Sequence, residues 1–236
     1  GVQPGRVAVV ASEAALPYER PALTKAYLHP PNAKVRARLP GFHTCVGGGG
    51  ERQIAEWYEE KGIAVLQGPC TGVDFGKKVL QSLDGPVEYG KLILATGAGA
   101  LRLTDVGIQG DDLNNVFYVR EEADAAALVR ALEKLPEGGK VVILGGGYIG
   151  LECAAAVHGW GFETTMVFPE AACMPRLFTS ELATWLENRY AARGIKIRKG
   201  GAAGSAAGIV AGPQQTVAGV QLQSGDVVPA DLVIVG

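Results

Sequence analysis

The chain is poor in the groups that most metal and dithiol chemistry requires. Its four cysteines, Cys45, Cys70, Cys153 and Cys173, stand far apart, and only three histidines, His29, His43 and His158, accompany them. With no C-x-x-C pair and no metal-ligand spacing, a thioredoxin-reductase-like dithiol and a zinc site are both set aside. Reduced thiols in an intracellular compartment, cytoplasmic or organellar, are the expectation. Charge is scarce as well: 19% of residues are charged and the net charge is -2. A nucleic-acid partner would show as a basic excess or stripe, so none is expected. No apolar run reaches the length of a membrane helix, and the start Gly1-Val-Gln-Pro-Gly5 is not a signal peptide, which points to a soluble product.

What the chain has in quantity is glycine, 34 residues in 236. Chance glycine motifs are common in such a chain, but one stretch has a specific order: an apolar strand, a glycine fingerprint and a helix at Lys140-Val-Val-Ile-Leu-Gly-Gly-Gly-Tyr-Ile-Gly-Leu-Glu152. Gly145 suits the tight turn out of the strand, Gly147 a close backbone approach to phosphates, and Gly150 the packing of helix on strand. A diphosphate would then rest on amides that the helix itself leaves unbonded. The alternative is a βαβ unit whose glycines serve packing alone. The helix is expected over Tyr148 to His158 and the next strand over Phe162 to Phe168. Glu170 follows about 20 residues after the last fingerprint glycine, where a carboxylate meets an adenosine ribose and repels a 2′-phosphate, favouring NADH over NADPH. Arg176, further along, is either a phosphate ligand or solvated surface.

Around this unit the pattern alternates strands and helices, the mark of an α/β fold. Arg6 to Val10 reads as a short buried-type strand. Proline-punctuated loops follow, and the run Gly47 to Gly50 reads as part of ordered loops around a site. Glu51 to Lys61 has helical spacing and is stopped by Gly62. Short strands are expected near Ile63 to Leu66, Lys78 to Leu80 and Val87 to Tyr89, then a strand at Lys91-Leu-Ile-Leu-Ala-Thr-Gly97 running into a small-residue turn. Asp111 to Val119 crosses over to a helix at Glu121 to Leu135. Beyond Glu170, Ser180 is the expected N-cap of a helix to Arg193, Ile195 to Ile197 a strand, Ala202 to Val228 a set of β-hairpins, and Asp231 to Gly236 a last buried strand. The two strand-to-glycine endings, at Gly97 and Gly236, suggest two nucleotide domains.

Four segments, Pro17-Tyr-Glu-Arg-Pro-Ala-Leu-Thr-Lys25, Leu39-Pro-Gly-Phe-His-Thr-Cys-Val-Gly47, Glu56-Trp-Tyr-Glu-Glu-Lys-Gly62 and Val167-Phe-Pro-Glu-Ala-Ala-Cys-Met-Pro-Arg-Leu-Phe178, together resemble the two-dinucleotide-domain flavoprotein reductases, among them the monodehydroascorbate reductases. The resemblance runs along the whole chain but covers only the middle half of such an enzyme, whose first glycine fingerprint would precede Gly1. It implies two Rossmann-like domains: a partial FAD-binding domain at 1–118 and a nearly complete NAD(H)-binding domain of three-layer β/β/α type at 119–236.

By this resemblance Glu13 would bind the FAD ribose, and Arg20 and Lys25 would reach the FAD phosphate and flavin. Backbone groups at Cys70 and Thr71 would face the adenine, and Ala95, Thr96 and Gly97 would make a second FAD contact. Arg120 and Glu121 would touch the cofactor at the crossover. NADH would take Gly145, Gly146, Gly147, Tyr148, Ile149, Gly150, Leu151, Glu152, Glu170, Arg176 and the strand-end Gly236. Glu152, one turn into the helix, is expected to pair with Lys25, the two acting as the catalytic pair beside the flavin. The implied reaction is hydride transfer from NADH to FAD and then single-electron delivery to the monodehydroascorbate radical, a small-molecule substrate. Reduction of ferredoxin or rubredoxin, and NADH binding by an inactive fragment, fit the same architecture.

Overall fold

The computed structural model describes residues 6–33, 53–83 and 85–236. The motif from Leu39 to Gly47, the run Gly47 to Gly50, the start of the expected helix at Glu51, and the side chains of His43 and Cys45 lie outside the described residues. Two compact units form, one from residues 1–20 with 39–98 and the other from 21–38 with 99–236.

In the first unit, β1 (Val7–Ala11) pairs in parallel with β2 (Ile63–Gln67), with α1 (Ala55–Glu60) between them in sequence. Lys61 caps α1 and Gly62, at φ 64°, takes the left-handed conformation that ends it. A separate antiparallel sheet runs β3 (Gly72–Asp74), β4 (Val79–Ser82), β5 (Gly85–Glu88). Two expectations fail here. The first strand is not buried: Val7 is 38% exposed, because a two-stranded sheet offers little surface to cover it. The run Lys91 to Gly97 forms no strand, and Ile93 and Leu94 stand 88% and 61% exposed. A strand exists only through a neighbour's amides and carbonyls, and no described strand offers this run a ladder. Gly97 therefore does not close a strand as Gly236 does.

The second unit is built on a five-stranded parallel sheet. Its strands are β6 (Val116–Tyr118), β7 (Lys140–Leu144), β8 (Glu163–Phe168), β9 (Lys196–Lys199) and β13 (Leu232–Val235), in the order β6-β13-β7-β8-β9. Helices α2 (Glu122–Leu132), α3 (Tyr148–Gly159) and α4 (Ser180–Ala191) connect them, with a short α5 (Gly201–Gly204) after β9. Strands β10 (Ala206–Ala211), β11 (Val217–Leu222) and β12 (Val227–Pro229) form an antiparallel sheet. Strand β6 pairs with β13 through Val116↔Val233, and residues 99–118 belong to this unit.

Period two along the strands sorts the core into two layers. Val142, Leu144, Val167, Val233 and Tyr118 pack with Val217, Val220 and Leu222 of β11. Val141, Ile143, Met166, Leu232 and Ile234 share the opposite face by register and are fully buried, and α3 packs on β7, β8 and β13. The result is the β/β/α layering expected. Each such side chain contributes about 1.5–3 kcal/mol by leaving water, and a sheet covered on both faces explains why its central strands read as continuous apolar runs. Among the described residues no helix is long and apolar enough to cross a membrane.

The start of α4 differs by one residue from the sequence reading. Thr179, in extended conformation, is the N-cap, its hydroxyl accepting from the Leu182 amide at 3.4 Å, and Ser180 is the first helical residue. Adjacent hydroxyls are equivalent in propensity, and the backbone chooses between them.

Burial also sets the titration of this unit. Desolvation, reinforced by the Glu152 charge, pushes the Cys153 thiol up to about 12. Burial likewise raises Cys173, Tyr118 and Tyr190. Each group holds its proton more tightly folded than unfolded, so the stability it adds is complete below the ordinary thiol and phenol range and is lost as pH climbs through the raised values. The melting temperature is expected to be level up to about pH 8 and to fall above about pH 9. Peptide mapping after brief thiol alkylation at pH 8 should find exposed Cys70 modified and buried Cys153 and Cys173 intact until the chain is unfolded.

Candidate functional site: the glycine turn of the second unit

The turn between β7 and α3 is shaped by three glycines in three different ways. Gly145 has φ 126°, and a Cβ there would lie 1.9 Å from the Gly236 carbonyl oxygen. A Cβ on buried Gly150 would lie 2.2 Å from the Gly145 carbonyl oxygen. At Gly147 a Cβ would meet nothing within 4 Å. So Gly145 and Gly150 are glycine because the protein occupies the space, whereas at Gly147 no described residue fills it. The turn is anchored on both sides, by the Gly145 amide to Val167 O at 2.9 Å and the Gly236 amide to Leu144 O at 2.8 Å. Gly146 lies over the Phe168 ring.

Gly147 is the N-cap of α3 and supplies no side chain to it. The Leu151 amide bonds the Gly147 carbonyl at 3.0 Å, so the amides of Tyr148, Ile149 and Gly150 precede the first helical bond. Gly147, Tyr148 and Ile149 are exposed while Gly150 and Leu151 are buried. A helix start whose first amides lie ahead of its first helical bond, at the positive end of the helix dipole, suits an anion. Glu170 and Arg176 follow β8, the neighbour of β7, and both are exposed. Since Leu144 pairs with Val167, Glu170 leaves the sheet at the same edge as the glycine turn.

Lys25 and Glu152 meet as expected: the Lys25 ammonium donates to Glu152 Oε2 at 2.8 Å, and also to the Pro21 carbonyl at 3.1 Å. A third partner is not evident from the sequence. Thr24, buried to 6% exposure, donates its hydroxyl to the same Glu152 oxygen at 2.5 Å. The only available signal was its position beside Lys25. The Lys25 side chain is 52% exposed, so water screens the pair. Lys25→Met is expected to lower stability by less than about 1 kcal/mol in thermal unfolding, because Thr24 still satisfies the carboxylate. Tyr190, from α4, donates to the Leu151 carbonyl at 3.0 Å beside this pair.

In the first unit Glu13 and Arg20 form an ion pair, Tyr18 donates to the other Glu13 oxygen, and Arg20 donates to Tyr18 at 2.9 Å. Burial alone would lower the Arg20 pKa, but Glu13 and Tyr18 outweigh it and hold the guanidinium above its ordinary value. Cys70 and Thr71 are exposed, with the Thr71 amide bonded to Gln81 O at 3.0 Å. Ala95, Thr96 and Gly97 are exposed and irregular.

In the second unit the Arg120 and Glu121 amides donate to the Asp124 carboxylate at 3.0 and 2.9 Å, and Glu121 is the N-cap of α2. That gives the Arg120–Glu121 pair a structural duty at a helix start. Among the described residues no cluster of His, Cys, Asp or Glu could hold a metal ion.

The sequence was compared with known proteins and structures. Monodehydroascorbate reductase 4, cytosolic, of Oryza sativa subsp. japonica is 50% identical over all of this chain and 53% of its own length. Monodehydroascorbate reductase 1, peroxisomal, of Arabidopsis thaliana is likewise 50% identical, with the same coverage. Among solved structures, the ferredoxin reductase of the CYP199A2 system from Rhodopseudomonas palustris is 30% identical, with a TM-score of 0.83 over 99% of this chain and 52% of that one. The chain thus spans about half the length of the relatives it matches. The family model for pyridine nucleotide-disulphide oxidoreductases matches residues 2–236. This chain belongs to the pyridine nucleotide-disulphide oxidoreductase family.

Proposed function

We propose that the chain is the dinucleotide-binding part of an NADH-dependent flavoprotein reductase that returns the monodehydroascorbate radical to ascorbate. The observation that carries the reading is the glycine turn: a Cβ at Gly147 would meet no described atom within 4 Å, at the point where the amides of Tyr148, Ile149 and Gly150 precede the first helical bond. The names of relatives about half identical to it support the choice of substrate. Those relatives are named cytosolic and peroxisomal, which leaves both compartments open as places of action.

In this reading the amides of Tyr148 to Gly150 receive the NADH diphosphate, Glu170 accepts from both adenosine ribose hydroxyls, and Arg176 stands near the phosphates. Gly236 and Gly145 keep the floor of the turn free of side chains. Glu152 holds Lys25, whose ammonium favours negative charge developing beside it, while Thr24 fixes the carboxylate that positions the lysine. Glu13 and Arg20 would meet the FAD ribose and phosphate, with Cys70, Thr71 and Ala95 to Gly97 along the adenine side and Arg120 and Glu121 at the crossover. FAD, when bound, supplies the step from two-electron hydride acceptance to one-electron delivery. The protein's own part is position and field.

An anaerobic NADH titration followed by visible absorbance tests this. A yellow protein whose flavin band bleaches with NADH and recovers with monodehydroascorbate radical supports the proposal. A colourless chain that still binds NADH favours the inactive-fragment reading. The likeness to a ferredoxin reductase favours one other acceptor, and faster oxidation by a ferredoxin than by the radical would establish it. Glu170→Ala is expected to cut the preference for NADH over NADPH by about tenfold, worth about 1.4 kcal/mol, in paired binding titrations.

A further inference from the structure

Glu187 is the one acidic side chain among the buried polar residues described, and the reaction above does not use it. It sits on α4, 7% exposed, and each of its oxygens has one partner. The Cys173 amide donates to Oε1 at 2.8 Å, and the Lys199 ammonium, from the end of β9, donates to Oε2 at 2.5 Å. Cys173 lies in the loop from Pro169 to Thr179 that carries both Glu170 and Arg176. The next amide in that loop, Met174, donates to the Gly146 carbonyl in the glycine turn at 3.0 Å. Consecutive amides therefore tie one loop to two places, α4 on one side and the fingerprint on the other. Met174 is also held at φ 52°, a left-handed conformation that a residue with a side chain keeps only where its surroundings impose it.

We infer that Glu187, neutralised by Lys199, is a positioning residue that sets where Glu170 stands relative to the glycine turn, and so sets the preference between NADH and NADPH. A buried carboxylate is costly unless paired and bonded, and an apolar pair of similar volume would fill the same space at less cost. Packing alone does not call for a charge here. The task only a carboxylate performs is to accept from the Cys173 amide while paired to Lys199. The inference rests on the NADH-binding reading given above.

The test uses the double variant Glu187→Met/Lys199→Met, which keeps volume and removes both charges together, so that folding is preserved while the Cys173 amide loses its acceptor. NADH and NADPH affinities are measured by titration, and exchange at the Cys173 and Met174 amides by NMR. NADH affinity is expected to fall about tenfold, the NADH-to-NADPH ratio to fall by a similar factor, and both amides to exchange about tenfold faster. Glu187→Gln/Lys199→Met, whose amide oxygen can still accept from Cys173 with no ammonium facing its NH2 group, is expected to restore the ratio to within about threefold. A folded double variant with the wild-type ratio overturns the inference, whatever its amides do. A wild-type chain that binds neither dinucleotide overturns instead the function proposed above, and amide exchange then decides whether Glu187 holds the loop at all.

Discussion

Gly147→Ala is expected to leave the melting temperature of the chain within about 2 °C of wild type while weakening NADH binding about a hundredfold, equivalent to about 2.8 kcal/mol. The two halves of that result have separate causes. Among the described residues the added Cβ meets no atom within 4 Å, and Gly147 has φ -85° and ψ -169°, which any residue adopts. The fold has no reason to object. A diphosphate seated on the following amides would be displaced by the methyl group, and hydrogen bonds to a charged ligand are among the stronger ones a protein makes. Calorimetry of the free chain with an NADH titration of the same sample measures both halves. A large melting shift, or unchanged affinity, would show that the open space is not the ligand's.

Gly145→Ala, two residues earlier, is expected to do the reverse and damage the fold itself. Its Cβ would stand 1.9 Å from the Gly236 carbonyl oxygen, and its φ of 126° lies outside what an L side chain accepts. Conformational strain of about 1–3 kcal/mol adds to overpacking of about 1–3 kcal/mol. For a unit of this size the melting temperature should drop by roughly 10 °C. Relief requires the ends of β7 and β13 to separate, which would break the Gly236 to Leu144 bond and expose the central strands. Thermal unfolding followed by circular dichroism reads this directly. A shift under about 2 °C would mean that the turn is softer than its contacts indicate.

The contrast between these glycines marks how much of the site was legible in the sequence. Strand β7 occupies Lys140–Leu144, as its apolar run between a turn and a glycine indicates, and α3 ends one residue beyond the expected His158. Such a strand announces itself because both faces are covered, and the helix because Gly147 can begin it and its small residues pack on the sheet. The run at Lys91 to Gly97 carries an equally strong local pattern and is no strand, since pairing is a property of two segments and a sequence window contains one. Thr24 and Glu187 escaped notice for a related reason. A threonine beside a lysine and a glutamate on a polar helix both look like solvated surface, and only the tertiary structure brings Glu152 to the first and the Cys173 amide to the second. The family resemblance points to Glu13 as a ribose ligand, while its pairing with Arg20 and Tyr18 depends on how the proline-framed loop turns back.

The central claim is that the start of α3 receives a dinucleotide diphosphate. Two-dimensional amide NMR of the labelled chain during NADH titration tests it most directly. The account predicts saturable shifts that are largest at Gly147, Tyr148, Ile149 and Gly150, with Glu170 following and the β10–β12 sheet unmoved. Saturable binding that shifts other residues and leaves those four in place, or no binding at all, would contradict it.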